Sequence, residues 1–248
     1  MTIYSRFRIG LIKRLIDFNE KIFFERKLEL FYKKEFRGNL NSLIDVGANK
    51  GQTIDFFLSL NPKCQIYAIE PNPTLYKLLI KKYSRQDNVR IFNVGVSDKS
   101  GEKLFFENIF DYTSTFEQLN MDSEYLKRKA KVLGVSPENI VTKSYDVNVV
   151  TLHDFISKNI SSSIIDILKI DTEGHEYYCL QGLFNDELKT KIKYIQLENH
   201  NDDMYNNRIQ FTTINSLLNK NKFELIKNIP HGFGDFDEVI YKMMSDIQ

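Results

Sequence analysis

Residues 43–53 read LIDVGANKGQT: apolar residues around one carboxylate, two glycines four apart, and a polar lead into the next element. The run predicts a strand, a tight turn and the start of a helix, with Gly47 and Gly51 leaving room for a ligand against bare main chain at the helix N-terminus. The same alternation extends outward from it. Residues 42–46, 65–70, 89–94, 164–170 and 194–198 are near-continuously apolar, as strands buried on both faces are. Helical periods fall between and after them at 51–60, 73–84, 153–160, 175–184 and 209–220. Strand alternating with helix requires crossovers, so the expected class is α/β, a doubly wound and mostly parallel sheet. Residues 223–227 and 236–242, separated by Pro230, Gly232 and Gly234, predict a closing antiparallel hairpin. A dinucleotide-binding sheet, parallel throughout, has no such hairpin.

Composition fits one globular domain with a small appendage. Of 248 residues, 42% are hydrophobic and 27% charged. Thirty-four basic residues against thirty-three acidic ones leave a net charge of +1, so no global field steers the chain toward nucleic acid, and none is expected as a partner. Cys64 and Cys179 are too few for a disulfide framework, and no apolar run reaches the ~20 residues of a membrane span. A cytoplasmic location is expected. Residues 1–40 hold ten basic and five acidic side chains, with Ile9, Ile12, Leu15, Ile16, Ile22, Phe23, Leu28 and Phe31 at helical spacing. They predict an N-terminal helical extension packed on the domain, with weak contact to an anionic membrane surface or a partner subunit as the alternative. The oligomeric state is not encoded legibly.

Residues 98–150 break the rhythm. Gly101 and residues 102–107 suggest a short hairpin, 121–133 a charged helix, and 144–150 a strand. An excursion at the carboxyl edge of an α/β sheet usually shapes an acceptor site, so this segment is expected to cap the crevice.

Glu70 ends the second strand and precedes Pro71-Asn72-Pro73, 23 residues after Gly47. A carboxylate there can accept both hydroxyls of a ribose. Nicotinamide dinucleotides and S-adenosylmethionine both carry one. No GxGxxG is present, and Asp45 at the first strand end suits a cationic methionine end and would repel a pyrophosphate. The sulfonium cofactor is the better fit.

Residues 43–53, then 68–73 (AIEPNP), 93–98 (NVGVSD), 168–176 (LKIDTEGHE) and 196–198 (QLE) together resemble the FkbM family of S-adenosylmethionine-dependent methyltransferases. The resemblance implies a class I, Rossmann-like methyltransferase fold over residues 41–248 with 98–150 as its insertion. It implies a cofactor site of Asp45, Gly47, Ala48, Asn49, Gly51 and Thr53 at the turn. Glu70 on the ribose with Pro71 and Asn72, Gly95, Val96 and Ser97 near the adenine, and Asp171 complete that site. The implied activity is O-methylation of a hydroxyl on a sugar, glycan or similar secondary metabolite. His153, where the family often has an acid, and a long 119–143 stretch are departures that bear on the acceptor pocket.

Methyl transfer from a sulfonium is an in-line displacement whose leaving group departs neutral, but the acceptor hydroxyl must lose a proton. Residues 169–176 place Asp171, Glu173 and His175 at a strand end for that task. His175 has the ordinary pKa best suited to a base. Glu173 and Glu176 also suit a helix dipole. Ser114, Thr115, Glu198 and His200 are expected to bind the acceptor, and oxygen ligands from Asp171 and from Glu198 and the residues after it could hold Mg²⁺. His231 beside Gly232 belongs to a turn. Two other classes stay open: a nicotinamide-dependent sugar-nucleotide oxidoreductase or epimerase, and a catalytically inactive binding protein of the same fold.

Overall fold

Five parallel strands and a returning antiparallel pair carry the molecule, and the reason they pair lies in their apolar content. The computed structural model describes residues 25–109, 113–200, 202–207, 209–230 and 236–244. Strands β1 (Ser42–Val46), β2 (Gln65–Ile69) and β3 (Val89–Phe92) are separated by helices α2 (Gln52–Leu60) and α3 (Pro73–Lys82), while α1 (Glu25–Phe36) precedes them. The two-residue β4 (Gly95–Val96), β5 (Gly101–Asn108), α4 (Glu124–Leu133) and β6 (Val141–Val150) form the middle segment. The remaining elements are α5 (Leu152–Asn159), β7 (Ile164–Ile170), α6 (Glu176–Leu183), β8 (Lys191–His200), α7 (Phe211–Lys220), β9 (Phe223–Pro230) and β10 (Phe236–Met243).

The main sheet has seven strands in the order β3-β2-β1-β7-β8-β10-β9. The first five are parallel, and β10 runs antiparallel to both β8 and β9. The expected fold class and the closing antiparallel pair are both present, with β10 inserted between β8 and β9. The order reverses beside β1, so the crevice at its carboxyl end, toward β7, is the switch point where ligands of such sheets lie.

Helices cover both faces, which is why β1 is buried at every position. Leu28, Tyr32 and Phe36 of α1, Ile54 and Phe57 of α2 and Leu79 of α3 pack with Leu43, Ile66, Ile167 and Ile240 on one face. Helices α5, α6 and α7 pack with Ile44, Ile69, Leu168, Ile195 and Val239 on the other. The apolar stripe of residues 25–36 is therefore spent on the core; the remainder of the predicted N-terminal extension, residues 1–24, lies outside the described residues, as does His231.

The segment 98–150 departs from its predicted form. Residues 101–108 do not fold into their own hairpin: β5 pairs antiparallel with β6, forty residues on, and β4 joins β6 in parallel as a separate three-stranded sheet in the order β4-β6-β5. Ser123 caps α4 by accepting from the Leu126 amide, and Gly134, with a left-handed φ, ends it. Leu126 and Ala130 pack with Leu119, Met204 and Tyr205, which ties this segment to the loop after β8. No helix among the described residues is long and apolar enough to cross a membrane.

Candidate active site

The turn after β1 is built so tightly that its own chain consumes the space its glycines open. Gly47 has φ 89°, and a Cβ there would overlap the backbone carbonyl of Asp171 at the end of β7. Gly51 has φ 83°, and a Cβ there would overlap the Tyr83 hydroxyl. That corrects the expectation that the glycines mainly make room for a ligand: they let β7 and the end of α3 close on the turn. Asn49, also at positive φ, supplies the third left-handed residue.

The turn's amides are committed internally. Gly47 and Ala48 both donate to the Ile69 carbonyl at 3.0 and 3.1 Å, Asn49 to Glu70 Oε2 at 2.7 Å, Lys50 to Gln52 Oε1 at 3.2 Å and Gly51 to the Ala48 carbonyl at 2.8 Å. A pyrophosphate site needs such N–H groups turned toward the ligand. Glu70 is buried and braces two segments at once, since its Oε1 accepts from the Asn72 amide at 2.8 Å. Asn72 in turn caps α3 by accepting from the Thr74 and Leu75 amides, and the Asn93 side chain donates to the Glu70 and Pro71 carbonyls at 2.9 and 3.0 Å. Residues 47–49, 70–72 and 93 are thus one interlocked floor, with Thr53 in the first turn of α2 beside it.

Below that floor lies a row of ionisable side chains on one sheet face. Registration places Asp45 beside Lys169, and Lys169 beside Gln196. Asp45 is 0% exposed and neither carboxylate oxygen accepts a hydrogen bond. Burial pushes its pKa up to about 7, a rise that the nearby Lys169 ammonium restrains. Lys169 donates to Asp171 Oδ2 at 2.6 Å. Burial alone would drive the Lys169 pKa down, but the carboxylates of Asp171, Glu238 and Asp45 reverse this and hold it above the ordinary value. Burial likewise raises Asp171, and the Lys169 charge more than offsets it, so Asp171 sits below the ordinary carboxylate range. Its side chain is 34% exposed, which leaves an ionised carboxylate facing the crevice.

Beyond Asp171 the ends of β7 and β8 bring further acids together. Glu173 stands at φ 55°, unusual for a residue with a Cβ, and accepts from the Tyr205 hydroxyl at 3.0 Å. Glu176 fixes this loop from beneath, with Oε1 accepting from the Thr172 and Gly174 amides. Glu198 Oε2 lies 3.3 Å from His200 Nε2, and His200 Nδ1 lies 3.7 Å from Asp202. Burial raises the pKa of Glu198 well above its ordinary value and that of Glu173 to about 7. For His200, burial opposes protonation, yet Glu198 and Asp202 outweigh it and raise the pKa.

Four expected roles change. His175 does not face the crevice. Its ring is 0% exposed, with Nδ1 2.7 Å from Glu117 and Nε2 3.0 Å from the Ser97 hydroxyl. Ser97, at 1%, and Glu117, at 3%, are equally sealed, so this serine, histidine and glutamate hold the insertion onto α6 and meet no acceptor. Ser97 is consequently a partner of His175; Gly95 and Val96 are buried beside it, with Phe116 and Val149 filling the space a Gly95 Cβ would need. Thr115, expected to bind acceptor, is buried and donates to the Thr172 and Glu173 carbonyls, while Ser114 accepts from the Asn108 amide. Asp171 is engaged by Lys169 and stands outside the three-donor group of Glu173, Glu198 and His200. Sequence reasoning gave no role to Lys169, Gln196, Glu238, Glu117 or Tyr205. A lysine and a glutamine inside otherwise apolar strands were the legible signal for the first two.

The residues fit a cationic, phosphate-free cofactor: the acids outnumber the bases, Asp45 lacks any donor, and the turn's amides are committed to protein acceptors. Comparison with known proteins agrees. The pattern described as the methyltransferase FkbM domain matches residues 45–225. The 2-O-methyltransferase NoeI of Sinorhizobium fredii is 26% identical over 194 residues, covering 77% of this chain and 75% of that protein. The AMB antimetabolite synthetase AmbE of Pseudomonas aeruginosa is 24% identical over 204 residues, and the match spans only 9% of its length. A solved S-adenosylmethionine-dependent methyltransferase from Aquifex aeolicus superposes with a TM-score of 0.51 at 14% identity, covering 95% of this chain and 98% of that one, and so shares the fold. With a matching domain across most of its length, the chain belongs to the FkbM family of S-adenosylmethionine-dependent methyltransferases.

Proposed function

We propose that this methyltransferase transfers its methyl group to a hydroxyl oxygen of a sugar, glycan or similar polyol. The observation that carries the reading is the ionised Asp171 carboxylate, part-exposed at the end of β7 and held by Lys169, with Glu173 and Glu198 flanking it. Bound at the turn, S-adenosylmethionine supplies an electrophilic methyl group. The chain's part is to orient the acceptor in line and to take the hydroxyl proton as the oxygen–carbon bond forms. Asp171 and Glu173 are the groups positioned for the proton, and Glu198 and His200 for acceptor hydroxyls; His175 is excluded from this reading by its burial. The 2-O-methyltransferase name of the Sinorhizobium relative supports an oxygen acceptor.

The cofactor arm is tested by calorimetric titration with S-adenosylhomocysteine and, separately, with nicotinamide dinucleotides. Binding of the former alone is expected; binding of a dinucleotide alone would overturn the reading. For the acceptor arm, methyl transfer to sugar hydroxyls is followed by mass spectrometry. Asp171→Asn is expected to slow turnover about a hundredfold or more, the range general-base groups supply, while leaving cofactor affinity nearly intact. Full turnover by that variant would remove Asp171 from the chemistry. A cytoplasmic site of action and a small-molecule or glycan partner belong to the same proposal.

A further inference from the structure

From the donor geometry at the ends of β7 and β8, we infer that Glu173, Glu198 and His200 form a binding site for one first-row divalent metal ion, with Asp202 as its positioning residue. The inference deepens the acceptor half of the proposed function and rests on it only for the ion's use.

One ligand atom from each of the three side chains lies within 4.8 Å of the others. Oxygen and nitrogen donors about 2.1 Å from a shared ion stand at most about 4.2 Å apart, so the widest pair exceeds that by at most about 0.6 Å. The Glu198 Oε2 to His200 Nε2 separation of 3.3 Å lies between the spacings of about 3.0 Å and about 3.4 Å that octahedral and tetrahedral neighbours would have. Neither of these atoms makes a hydrogen bond, although both are inaccessible and Glu198 is only 9% exposed. Two buried atoms facing each other without a hydrogen bond are costly unless a proton on the imidazole or a metal cation joins them, and the third donor, Glu173, close by favours the cation.

The outer contacts also match. His200 Nδ1 faces Asp202, whose other oxygen is fixed by the Met204 amide at 2.8 Å. A carboxylate on the far nitrogen of a ligating histidine sets its tautomer and ring angle. Tyr205 and Phe236 flank the imidazole at ring centroids of 6.0 and 6.2 Å, and Tyr205 also holds Glu173. The groups facing the cluster are Asp171, Lys129 and Lys169 besides these. An imidazole with two carboxylates favours borderline ions, so the expected affinity order is Zn²⁺ over Mn²⁺ over Mg²⁺. That differs from the oxygen-only Mg²⁺ site read from the sequence. A cation here would neutralise the acids and polarise an acceptor hydroxyl.

The test uses the full chain, treated with chelator and dialysed, with each metal alone and no cofactor. Mn²⁺ is titrated by the loss of the free-ion paramagnetic resonance signal, and Zn²⁺, Mn²⁺ and Mg²⁺ are compared by thermal shift. One Mn²⁺ per chain is expected, weakened about 10–100-fold in Asp202→Asn and at least as much in Glu198→Gln and His200→Asn. Circular dichroism and S-adenosylhomocysteine titration of the same variants verify folding and an intact cofactor site. No stoichiometric Mn²⁺ binding, or binding unmoved by all three variants, would overturn the site and identify the cluster as a plain ion-pair network. Metal failure with retained homocysteine-ligand binding sinks this inference alone, and loss of both sinks the methyltransferase site with it.

Discussion

Glu70 receives the Asn49 and Asn72 amides on separate oxygens, so one side chain fixes both halves of the floor proposed to carry the cofactor. Glu70→Ala is therefore expected to weaken S-adenosylhomocysteine binding by about 1–3 kcal/mol, and to lower the melting temperature as well, because two buried amides lose a charged acceptor. Unchanged affinity by calorimetry would detach Glu70 from the cofactor. Asp45 gives a different signature. Its buried carboxyl, with a pKa of about 7 against an ordinary 3.8, binds a proton more tightly folded than unfolded. Stability thus falls as pH rises from about 4 to about 7, then levels. Asp45→Asn removes that loss: ligand-free stability is expected to gain little at pH 4 and up to about 4 kcal/mol at pH 8. Cofactor binding is expected to weaken in the same variant. Denaturant titrations at the two pH values check the sign, and an equal gain at both would refute it. The strand-end placement of Asp45, Gly47 and Glu70 was legible because a carboxylate or glycine at a strand end is a local signal. The fate of His175 was not, because its partners Ser97 and Glu117 lie 78 and 58 residues away.

Among elements, the buried strands were the most readable. Residues 42–46 and 164–170 were bounded as observed, since helices on both faces demand unbroken apolar runs. Residues 101–108 read as half of a local hairpin because a strand's sequence does not name its partner; β6 wins through a long antiparallel register of alternating exposure. Besides its apolar contact with the loop after β8, the insertion is held by polar contacts that include Glu117 to His175 at the start of α6 and Thr115 to the Thr172 and Glu173 carbonyls. His175→Ala leaves Glu117 buried without its ring partner, which is expected to cost about 3 kcal/mol or more. The measurement is a urea unfolding curve together with turnover per folded molecule. A stability loss with turnover retained fits a clamp, whereas native stability with turnover abolished would return His175 to the chemistry.

Across the whole molecule, a net charge of +1 conceals a strongly uneven interior. Acids gather under and around one crevice, and the chain balances them with Lys169, His200 and a relay of neutral groups. Tyr32 of α1 donates to Gln196 Oε1, whose amide nitrogen donates to Glu238, and Glu238 faces Lys169. The first described helix, packed on the same sheet face as Leu43, Ile167 and Ile240, therefore reaches the site's charge network directly, while Glu35 of the same helix accepts from Tyr194 and Lys242. Its apolar face contributes by burial and its hydroxyl by satisfying a buried amide, and these can be separated. Tyr32→Phe keeps the ring and removes only the donor, leaving Gln196 Oε1 short of a partner at an expected cost of about 1–3 kcal/mol. For a chain of this length that lowers the melting temperature by roughly 2–12 °C, at about 2–4 °C per kcal/mol. Tyr32→Ala is expected to cost more, because a cavity is added to the lost hydrogen bond. Cofactor affinity is expected to change little in Tyr32→Phe, since the hydroxyl that is lost bonds Gln196. A phenylalanine variant as stable as the parent would show that α1 is held by apolar contact alone. A phenylalanine variant of unaltered stability but weakened S-adenosylhomocysteine binding would instead show that the relay through Gln196 and Glu238 tunes the crevice acids.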